Sequence, residues 1–177
     1  MKLQKPKFWD KSKFSILALL FFPFSILFFL ITLISKFKNS KKFPIPIICV
    51  GNIYIGGTGK TPLASEIFKI TKSIGKNPGF IKKHYDYLSD EIKMLKKVGI
   101  TFVSKSRKEA IESLINNKND IAILDDGFQD FSIEKKFSIV CFNQKQWIGN
   151  GFIIPSGPLR ENLSAINRAD CIFINGN

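Results

Sequence analysis

The chain has 177 residues, of which 45% are hydrophobic and 23% charged, and its formal net charge is +13. This composition excludes an intrinsically disordered protein, and the length allows one domain of ordinary size with a short extra element. Nucleic-acid binding is disfavoured, because residues 1–42 carry +8 of the charge, the rest carries only +5, and three of the 27 basic residues are arginine.

The first predicted element is an uncharged stretch of 22 residues, from Phe14 to Ser35. As a helix it would be about 33 Å long, which is enough to cross the hydrocarbon core of a bilayer. We interpret it as a membrane anchor and not as a secretory signal peptide, because no small-residue cleavage site follows it. A buried helix of a soluble protein is the other alternative, and its apolar surface on all sides argues against that.

The placement of this anchor in the membrane stays open. Pro23 allows a kink, a re-entrant hairpin or an interfacial helix as well as a straight span. Lysines flank the anchor on both sides, so the positive-inside rule gives no orientation, although they suit an anionic membrane surface. They are Lys2, Lys5, Lys7, Lys11 and Lys13 before it, and Lys36, Lys38, Lys41 and Lys42 after it. We therefore divide the chain into an anchor with lysine-rich flanks, residues 1–42, and a second domain, residues 43–177.

The second domain opens with a predicted strand, a glycine-rich loop and a helix. The strand is the apolar run "IPIICVGN" (45–52), and the loop contains "IGGTGKTP" (55–62). The helix has Pro62 near its start and ends at Gly75, with a predicted apolar face of Leu63, Ile67, Ile70 and Ile74. A glycine-rich loop between a strand and a helix is the context of a phosphate-binding loop.

Strands and helices continue to alternate along the remaining chain. Further strands are predicted at 79–81, 100–103, 121–124, 137–142 and 170–175. The helix "SDEIKMLKKVG" has Ser89 as its N-cap and an apolar stripe of Ile92, Leu95 and Val98. The helix "SRKEAIESLIN" opens with a predicted capping box of Ser106 and Glu109. This alternation predicts an α/β fold, a P-loop NTPase-like, mostly parallel sheet with flanking helices.

The loop residues suit the phosphates of a nucleotide. Backbone N–H groups, together with the positive end of the following helix, would bind phosphate oxygens. Lys60 would reach the β- and γ-phosphates, and the Thr61 hydroxyl would ligate Mg²⁺. The candidate nucleotide-binding residues are Tyr54, Ile55, Gly56, Gly57, Thr58, Gly59, Lys60 and Thr61. Tyr54 departs from the pattern G-x-x-x-x-G-K-[ST], which has a glycine there, and a glycine-rich turn without a ligand is the alternative.

Two adjacent acids, Asp125 and Asp126, directly follow the predicted buried strand 121–124. Ligand groups of a doubly wound sheet gather at the carboxyl ends of its strands, and P-loop enzymes hold an acid near Mg²⁺ there. We therefore predict that Thr61, Asp125 and Asp126 surround the metal. Two acids in a solvated turn are the simpler alternative.

The three cysteines lie far apart, each inside an apolar run. The lone His84 cannot complete a zinc site with them, and no C-x-x-C spacing occurs. We expect Cys49, Cys141 and Cys171 to be buried, reduced thiols of a cytosolic domain.

Three ordered motifs give the chain a specific resemblance to a known family. They are "VGNIYIGGTGKTP" (50–62), "DDGFQ" (125–129) and "GNGFIIPSGPLREN" (149–162). With the anchor, they resemble the tetraacyldisaccharide 4′-kinase (lipid A 4′-kinase) family over about residues 14–175. The family's own loop also lacks the first standard glycine, so Tyr54 is typical of it.

The resemblance implies transfer of the γ-phosphoryl of ATP to the 4′-hydroxyl of a tetraacyldisaccharide 1-phosphate. It places the enzyme at the cytoplasmic face of the bacterial inner membrane, with ATP and Mg²⁺ as cofactors. Its partners would be this acceptor lipid and inner-membrane lipids, not nucleic acid, and the oligomeric state stays open. The catalytic residues that it implies are Lys60, Asp90 and Asp126.

Asp90 matches the family acid that activates the acceptor hydroxyl. Without the resemblance, a favourable acid in the first turn of a helix would be the preferred interpretation. Arg160 and Glu161 match the end of the third motif and are expected near the nucleotide or the acceptor, with an ordinary loop as the alternative.

The chain departs from the family in three places. "KKHYDY" (82–87) replaces the family's "SRGYG" region, so Lys83 stands where the family has arginine. Asp130 replaces the usual histidine after "DDGFQ". The family normally continues beyond residue 175 into a C-terminal lobe with its own histidine motif, and we expect this chain to lack that lobe and the partner it gives Asp90.

Three functions remain open on the sequence. The leading one is a membrane-anchored lipid sugar kinase, and the second is a nucleotide-binding membrane protein that does not transfer phosphate. The third is another phosphate-loop enzyme such as a regulatory GTPase. It is disfavoured because "NNKND" (116–120) precedes the "DDGFQ" strand, which is the wrong place for guanine recognition.

Overall fold

The computed structural model describes residues 5–10, 15–37, 39–85 and 89–176. The helices are α1 (Ile16–Ser35), α2 (Lys60–Ser73), α3 (Ser89–Val98) and α4 (Arg107–Asn116). The strands are β1 (Ile47–Gly51), β2 (Pro78–Lys83), β3 (Thr101–Ser104), β4 (Ile121–Asp125), β5 (Phe137–Asn143) and β6 (Cys171–Asn175). The predictions on Lys2, Lys11, Lys13, Phe14, Lys38, residues 86–87 and the Ser89 side chain lie outside the described residues.

The six strands found in these residues form one parallel sheet in the order β3-β2-β4-β1-β5-β6. β1 lies between β4 and β5, with Val50 beside Asp125 and Gly51 beside Val140. The chain passes from β1 to one side of the sheet and later to the other, so the strand order reverses beside β1. A doubly wound sheet binds its ligands in the crevice at that point, outside the carboxyl ends of the strands. The predicted α/β fold is confirmed.

Helices cover both faces of the sheet. Successive side chains of a strand point to opposite faces, so neighbouring residues of β4 contact different helices. Leu124 belongs to an apolar cluster with residues of α4, and Ile123 belongs to one with residues of α2 and α3. In the second cluster Phe68 of α2 stacks on Phe80 of β2, with ring centroids 4.6 Å apart. The sheet therefore lies between two apolar layers, and its edge at the carboxyl ends is left for polar groups.

The predicted apolar face of α2 is only partly buried. Ile70 and Ile74 are 60% and 67% exposed, whereas Ala64 and Phe68 are buried. The predicted stripe and the buried stripe have the same helical spacing and lie roughly a third of a turn apart. Periodicity alone cannot choose between two such stripes, and the stripe that contains Ala64 and Phe68 is the one that packs on the sheet.

The capping box predicted at α4 is wrong. Ser106 is the N-cap residue, but its side chain makes no capping hydrogen bond. The Glu109 carboxylate instead accepts a hydrogen bond of 2.6 Å from the Ser104 hydroxyl, which itself accepts the N–H of Ser106 at 3.2 Å. Because Ser104 ends β3 just before the helix, it reaches both groups and takes the place of the predicted cap.

Two of the three cysteines are buried as predicted, and Cys171 is exposed. Cys171 lies on β6, the edge strand of the described sheet, and all five residues of that strand are exposed. Burial raises the pKa of the Cys49 thiol to about 11 and that of Cys141 to about 12. These two thiols therefore stay protonated, and the expectation of a buried thiol is wrong for Cys171.

Helix α1 is long and apolar enough to cross a membrane, judged by length and composition. Pro23 lies inside the helix without interrupting it, and most of its large apolar side chains are exposed. One side of the helix, however, contacts the segment between β5 and β6. The Ser25 hydroxyl donates to the carbonyl of Ile153 at 2.8 Å and accepts the N–H of Ser156 at 3.1 Å. Near the N-terminus, the indole of Trp9 donates to the carbonyl of Pro155 at 2.9 Å.

Candidate functional site

The first half of the glycine-rich loop, between β1 and α2, is fixed to neighbouring segments. The fully buried ring of Tyr54 packs against Phe142, with centroids 5.8 Å apart, and its hydroxyl accepts the N–H of Asn143 at 2.5 Å. The N–H of Ile55 donates to the carbonyl of Pro158 at 2.8 Å. These contacts explain why a bulky residue stands where the standard pattern has glycine. The side chain of Tyr54 belongs to the core, so only its backbone is available to a nucleotide.

The second half of the loop turns into α2. Gly56 has φ +144° and Gly59 has φ +82°, both in the region that favours glycine. Gly59 immediately precedes the helix, which begins at Lys60. The unpaired N–H groups of the first helical turn and the positive end of the helix dipole are therefore at the loop, where they attract anions.

Two of the predicted metal ligands meet at this point. The Thr61 hydroxyl donates to Oδ2 of Asp125 at 3.0 Å, and both residues are buried. Oδ1 of Asp125 is buried and has no hydrogen-bond partner within the described residues. A hydroxyl and a carboxylate with an unused oxygen are ligands that Mg²⁺ accepts, and it usually takes its other ligands from phosphates and water. The residues present fit a nucleotide-bound Mg²⁺. The described part of the chain holds no group of three or more His, Cys, Asp or Glu that would bind a metal alone.

Asp126 has different partners from Asp125. Its Oδ1 is 2.9 Å from Nη1 of Arg160 and 3.7 Å from Nζ of Lys60, and its backbone has φ +64°. The guanidinium of Arg107 donates to its carbonyl at 2.6 Å, which supports this unusual backbone conformation. Burial raises the pKa of the Asp126 carboxyl, but the cations around it outweigh burial and hold the pKa below its usual value. Asp126 therefore stays ionised and keeps two cations beside the loop.

A buried lysine that the sequence analysis did not assign lies next to Asp125. Nζ of Lys82, in β2, is 2.6 Å from Oδ2 of Asp125 and 2.6 Å from Oε2 of Glu91. Burial lowers the pKa of Lys82, but the two carboxylates outweigh burial and raise it, so the ammonium keeps its charge. The available signal was a lysine directly after the predicted strand 79–81, because a lysine is rarely buried without an acidic partner.

A polar cleft of about 500 Å³ opens beside the loop. Its basic lining residues are Lys60, Lys83, Arg107 and Arg160, and its acidic ones are Glu91, Asp126 and Asp130. Gly56, Tyr85 and Gln129 complete the lining. An excess of cations in a cleft attracts phosphorylated ligands.

The remaining predicted residues differ in their position relative to the cleft. Asp90 is exposed in the first turn of α3 and does not line the cleft, whereas the neighbouring Glu91 does. Arg160 lines the cleft and contacts Asp126 at 2.9 Å. Glu161 is buried and pairs with Arg168 at 2.6 Å, away from the cleft lining. Asp130 pairs with Arg107 at 3.1 Å.

The chain matches known proteins over nearly all of its length. The family model of tetraacyldisaccharide-1-P 4′-kinase (LpxK) matches residues 17–95 and 82–177. Two relatives, both called tetraacyldisaccharide 4′-kinase, come from Pelagibacter ubique (strain HTCC1062) and Rickettsia canadensis (strain McKiel). They are 49% and 35% identical over 100% and 98% of this chain, which corresponds to 56% and 58% of their own lengths.

A solved structure agrees with these relatives. The crystal structure of the "apo" form of LpxK from Aquifex aeolicus in complex with ATP superposes with a TM-score of 0.75 at 26% identity. The match covers 90% of this chain and 59% of that one, so the chain spans little more than half the length of the relatives it matches. Because the family model covers most of the chain, and the fold is that of a solved member, the chain belongs to the tetraacyldisaccharide-1-P 4′-kinase family.

Proposed function

We propose that this chain transfers the γ-phosphoryl group of ATP to the 4′-hydroxyl of a tetraacyldisaccharide 1-phosphate, giving lipid IVA in lipid A biosynthesis. The observation that carries the proposal is the hydrogen bond of 3.0 Å between Thr61 and Asp125. It joins the phosphate loop to the acid at the end of β4, so that the two motifs act as one site. The family membership and the solved relative with ATP support the same activity.

The nucleotide is bound through residues 54–61, mainly by backbone N–H groups and the first turn of α2. Lys60 would contact the β- and γ-phosphates, and Thr61, Asp125 and Asp126 would hold Mg²⁺. This ion, when bound, would neutralise charge on the phosphate oxygens during transfer. The carboxylate of Asp126 also holds Lys60 and Arg160 at the cleft, where the two cations would stabilise negative charge on the transferred phosphoryl group.

Asp90 is the proposed general base for the acceptor. In this role its carboxylate takes the proton of the 4′-hydroxyl as that oxygen attacks, which requires hydrogen-bond reach of the bound acceptor. Support for this role comes from its position in the same helical turn as Glu91, which lines the cleft. The cationic side chains of the cleft also suit an acceptor that already carries a phosphate.

The acceptor is proposed to reach the site from the cytoplasmic face of the inner membrane. An apolar groove of about 280 Å³ lies between α1 and residues 151–163. Phe22, Ile26 and Phe29 line it from α1, and Phe152, Ile153 and Leu163 line it from the other side. A groove of this character beside a membrane anchor suits an acyl chain, whose transfer from lipid to an apolar surface costs little.

Phosphate transfer to the lipid tests the proposal directly. The full chain in detergent–lipid mixed micelles receives labelled ATP, Mg²⁺ and tetraacyldisaccharide 1-phosphate, and label in the lipid is followed. We expect Lys60→Ala to lower the rate by about 100-fold or more, because it removes a cation from the phosphates. Lys69→Ala is the matched control, since this lysine of α2 is exposed and its ion pair is with the equally exposed Glu66. Equal rates in wild type and Lys60→Ala would contradict the proposal.

A second candidate is a membrane protein that binds ATP without transferring phosphate. The exposed position of Asp90, outside the cleft lining, favours it, because a general base must touch the acceptor. Binding of ATP to the wild type with no label in the lipid would establish this second function and exclude the first for this chain.

A further inference from the structure

We infer that Lys82 is a positioning residue whose buried ammonium fixes the first turn of α3 to the end of β4 at the nucleotide site. The effect of this contact on the rate of phosphate transfer rests on the proposed function, whereas its effect on the position of α3 does not. Lys82 itself does not line the cleft. It therefore acts through the two acids that it holds.

The register of the sheet brings Lys82 to this position. Ile81 of β2 pairs with Leu124 of β4, so the next residues, Lys82 and Asp125, lie side by side. Nζ of Lys82 is 2.6 Å from Oδ2 of Asp125, the same oxygen that accepts the Thr61 hydroxyl. On its other side, Nζ is 2.6 Å from Oε2 of Glu91. A continuous line of polar contacts thus joins α3, β2, β4 and α2.

Among the described side chains of α3, Leu95 is the fully buried one, and it lies about one turn beyond Glu91. In the first turn, Ile92 is half-buried, Asp90 is exposed, and Glu91 forms the ion pair with Lys82. The apolar stripe therefore holds the later part of the helix against Phe68 and Phe80, in the same cluster. The ion pair between Glu91 and Lys82 is what fixes the end that carries Asp90.

The two acids of the "DDGFQ" motif contact different lysines. Lys82 pairs with Asp125, and Lys60 lies 3.7 Å from Asp126 and lines the cleft. Without Lys82, the buried Asp125 carboxylate would lose the cation at its Oδ2, and a buried charge without a partner destabilises its surroundings.

Hydrogen exchange of the full chain in detergent micelles tests the structural part. The variants are Lys82→Met, Glu91→Gln and their combination, with Lys69→Met and Glu66→Gln as controls on an exposed pair of 2.7 Å. We expect each of the first two changes to speed amide exchange in residues 89–98 by about fivefold or more. The double variant should be no faster than the faster single one, and the controls should match the wild type.

The lipid phosphorylation assay tests the kinetic part. Glu91→Gln should lower kcat by about tenfold with a change in KM for ATP below about threefold, because the Glu91–Lys82 pair lies outside residues 54–61, through which the nucleotide is proposed to bind. The double variant should have the same kcat as Lys82→Met alone, because the two changes break the same ion pair. A role of Glu91 that bypasses Lys82 would instead give losses that add.

Unchanged exchange of α3 in Glu91→Gln would overturn the inference. This variant also decides the matter if Lys82→Met does not fold, because the Glu91 side chain is 41% exposed and tolerates the change. If the wild type transfers no phosphate, the proposed function fails, and the exchange experiment still supports or overturns the role of Lys82.

Discussion

Replacing Tyr54 by glycine restores the standard phosphate-loop pattern, yet we expect it to destabilise the chain. The ring is fully buried against Phe142, and its hydroxyl accepts the N–H of Asn143 at 2.5 Å. Loss of a large buried aromatic side chain costs about 3–5 kcal/mol, and loss of the hydrogen bond adds about 1 kcal/mol. The sum of about 4–6 kcal/mol is a large part of the stability of an ordinary domain, and it would lower Tm by about 10–20 °C.

Thermal unfolding followed by circular dichroism in a mild detergent measures this effect. Tyr54→Phe is the matched variant, because it keeps the ring and removes only the hydroxyl. It should lose about 1–2 kcal/mol, or roughly 3–6 °C, and bind ATP like the wild type. If Tyr54→Gly unfolds within about 2 °C of the wild type, the ring does not stabilise the loop and our explanation of the departure is refuted.

Two further predictions concern charge and thiols. Burial raises the pKa of Asp130, but hydrogen bonds from Ser132 and the Arg107 cation outweigh burial and lower it from 3.8. Because the folded pKa is lowered, this carboxylate stabilises the chain above its ordinary pKa, and the contribution is lost as the pH falls through the folded value. Urea unfolding should therefore show Asp130→Asn less stable by about 1–3 kcal/mol at pH 7, with a smaller gap near pH 3, and a constant gap would argue against this. A thiol-specific reagent should label one cysteine of the native chain quickly, Cys171, and all three after denaturation. Fast labelling of native Cys171→Ser would contradict the burial of the other two thiols.

The order and type of the elements could be predicted because they depend on local signals. The apolar run before the loop, the glycines at 56–59 and the acids after strand 121–124 are short-range patterns with one common structural context. The buried face of α2 could not be predicted in the same way. Two stripes of equal spacing occur there, and the stripe with Phe68 is buried because Phe68 stacks on Phe80 of β2, a contact that depends on how the helix lies on the sheet.

The proximity of the candidate site residues was predictable where they belong to a motif. Thr61 and Asp125 were assigned from sequence, and the structure brings them within 3.0 Å. The assignment of Lys82 needed the strand register, because its partners are 43 and 9 residues away along the chain. The role of Ser104 at α4 was missed for a related reason, since its position at the end of β3 appears only once the strand boundary is known.

The contact between Ser25 and Ser156 has a consequence for the proposed membrane anchor. Ser25 lies near the middle of the twenty-residue helix α1, so residues around Ser156 contact this helix at mid-length and not at a flexible end. With α1 as the proposed anchor, the sheet would keep a fixed tilt relative to a bilayer, and an encounter with a lipid headgroup would not wait for rotation about a linker. Four residues after Ser156, Arg160 holds Asp126 at the phosphate site. One short stretch of chain therefore fixes both the position of α1 against the sheet domain and the position of a cation in the cleft.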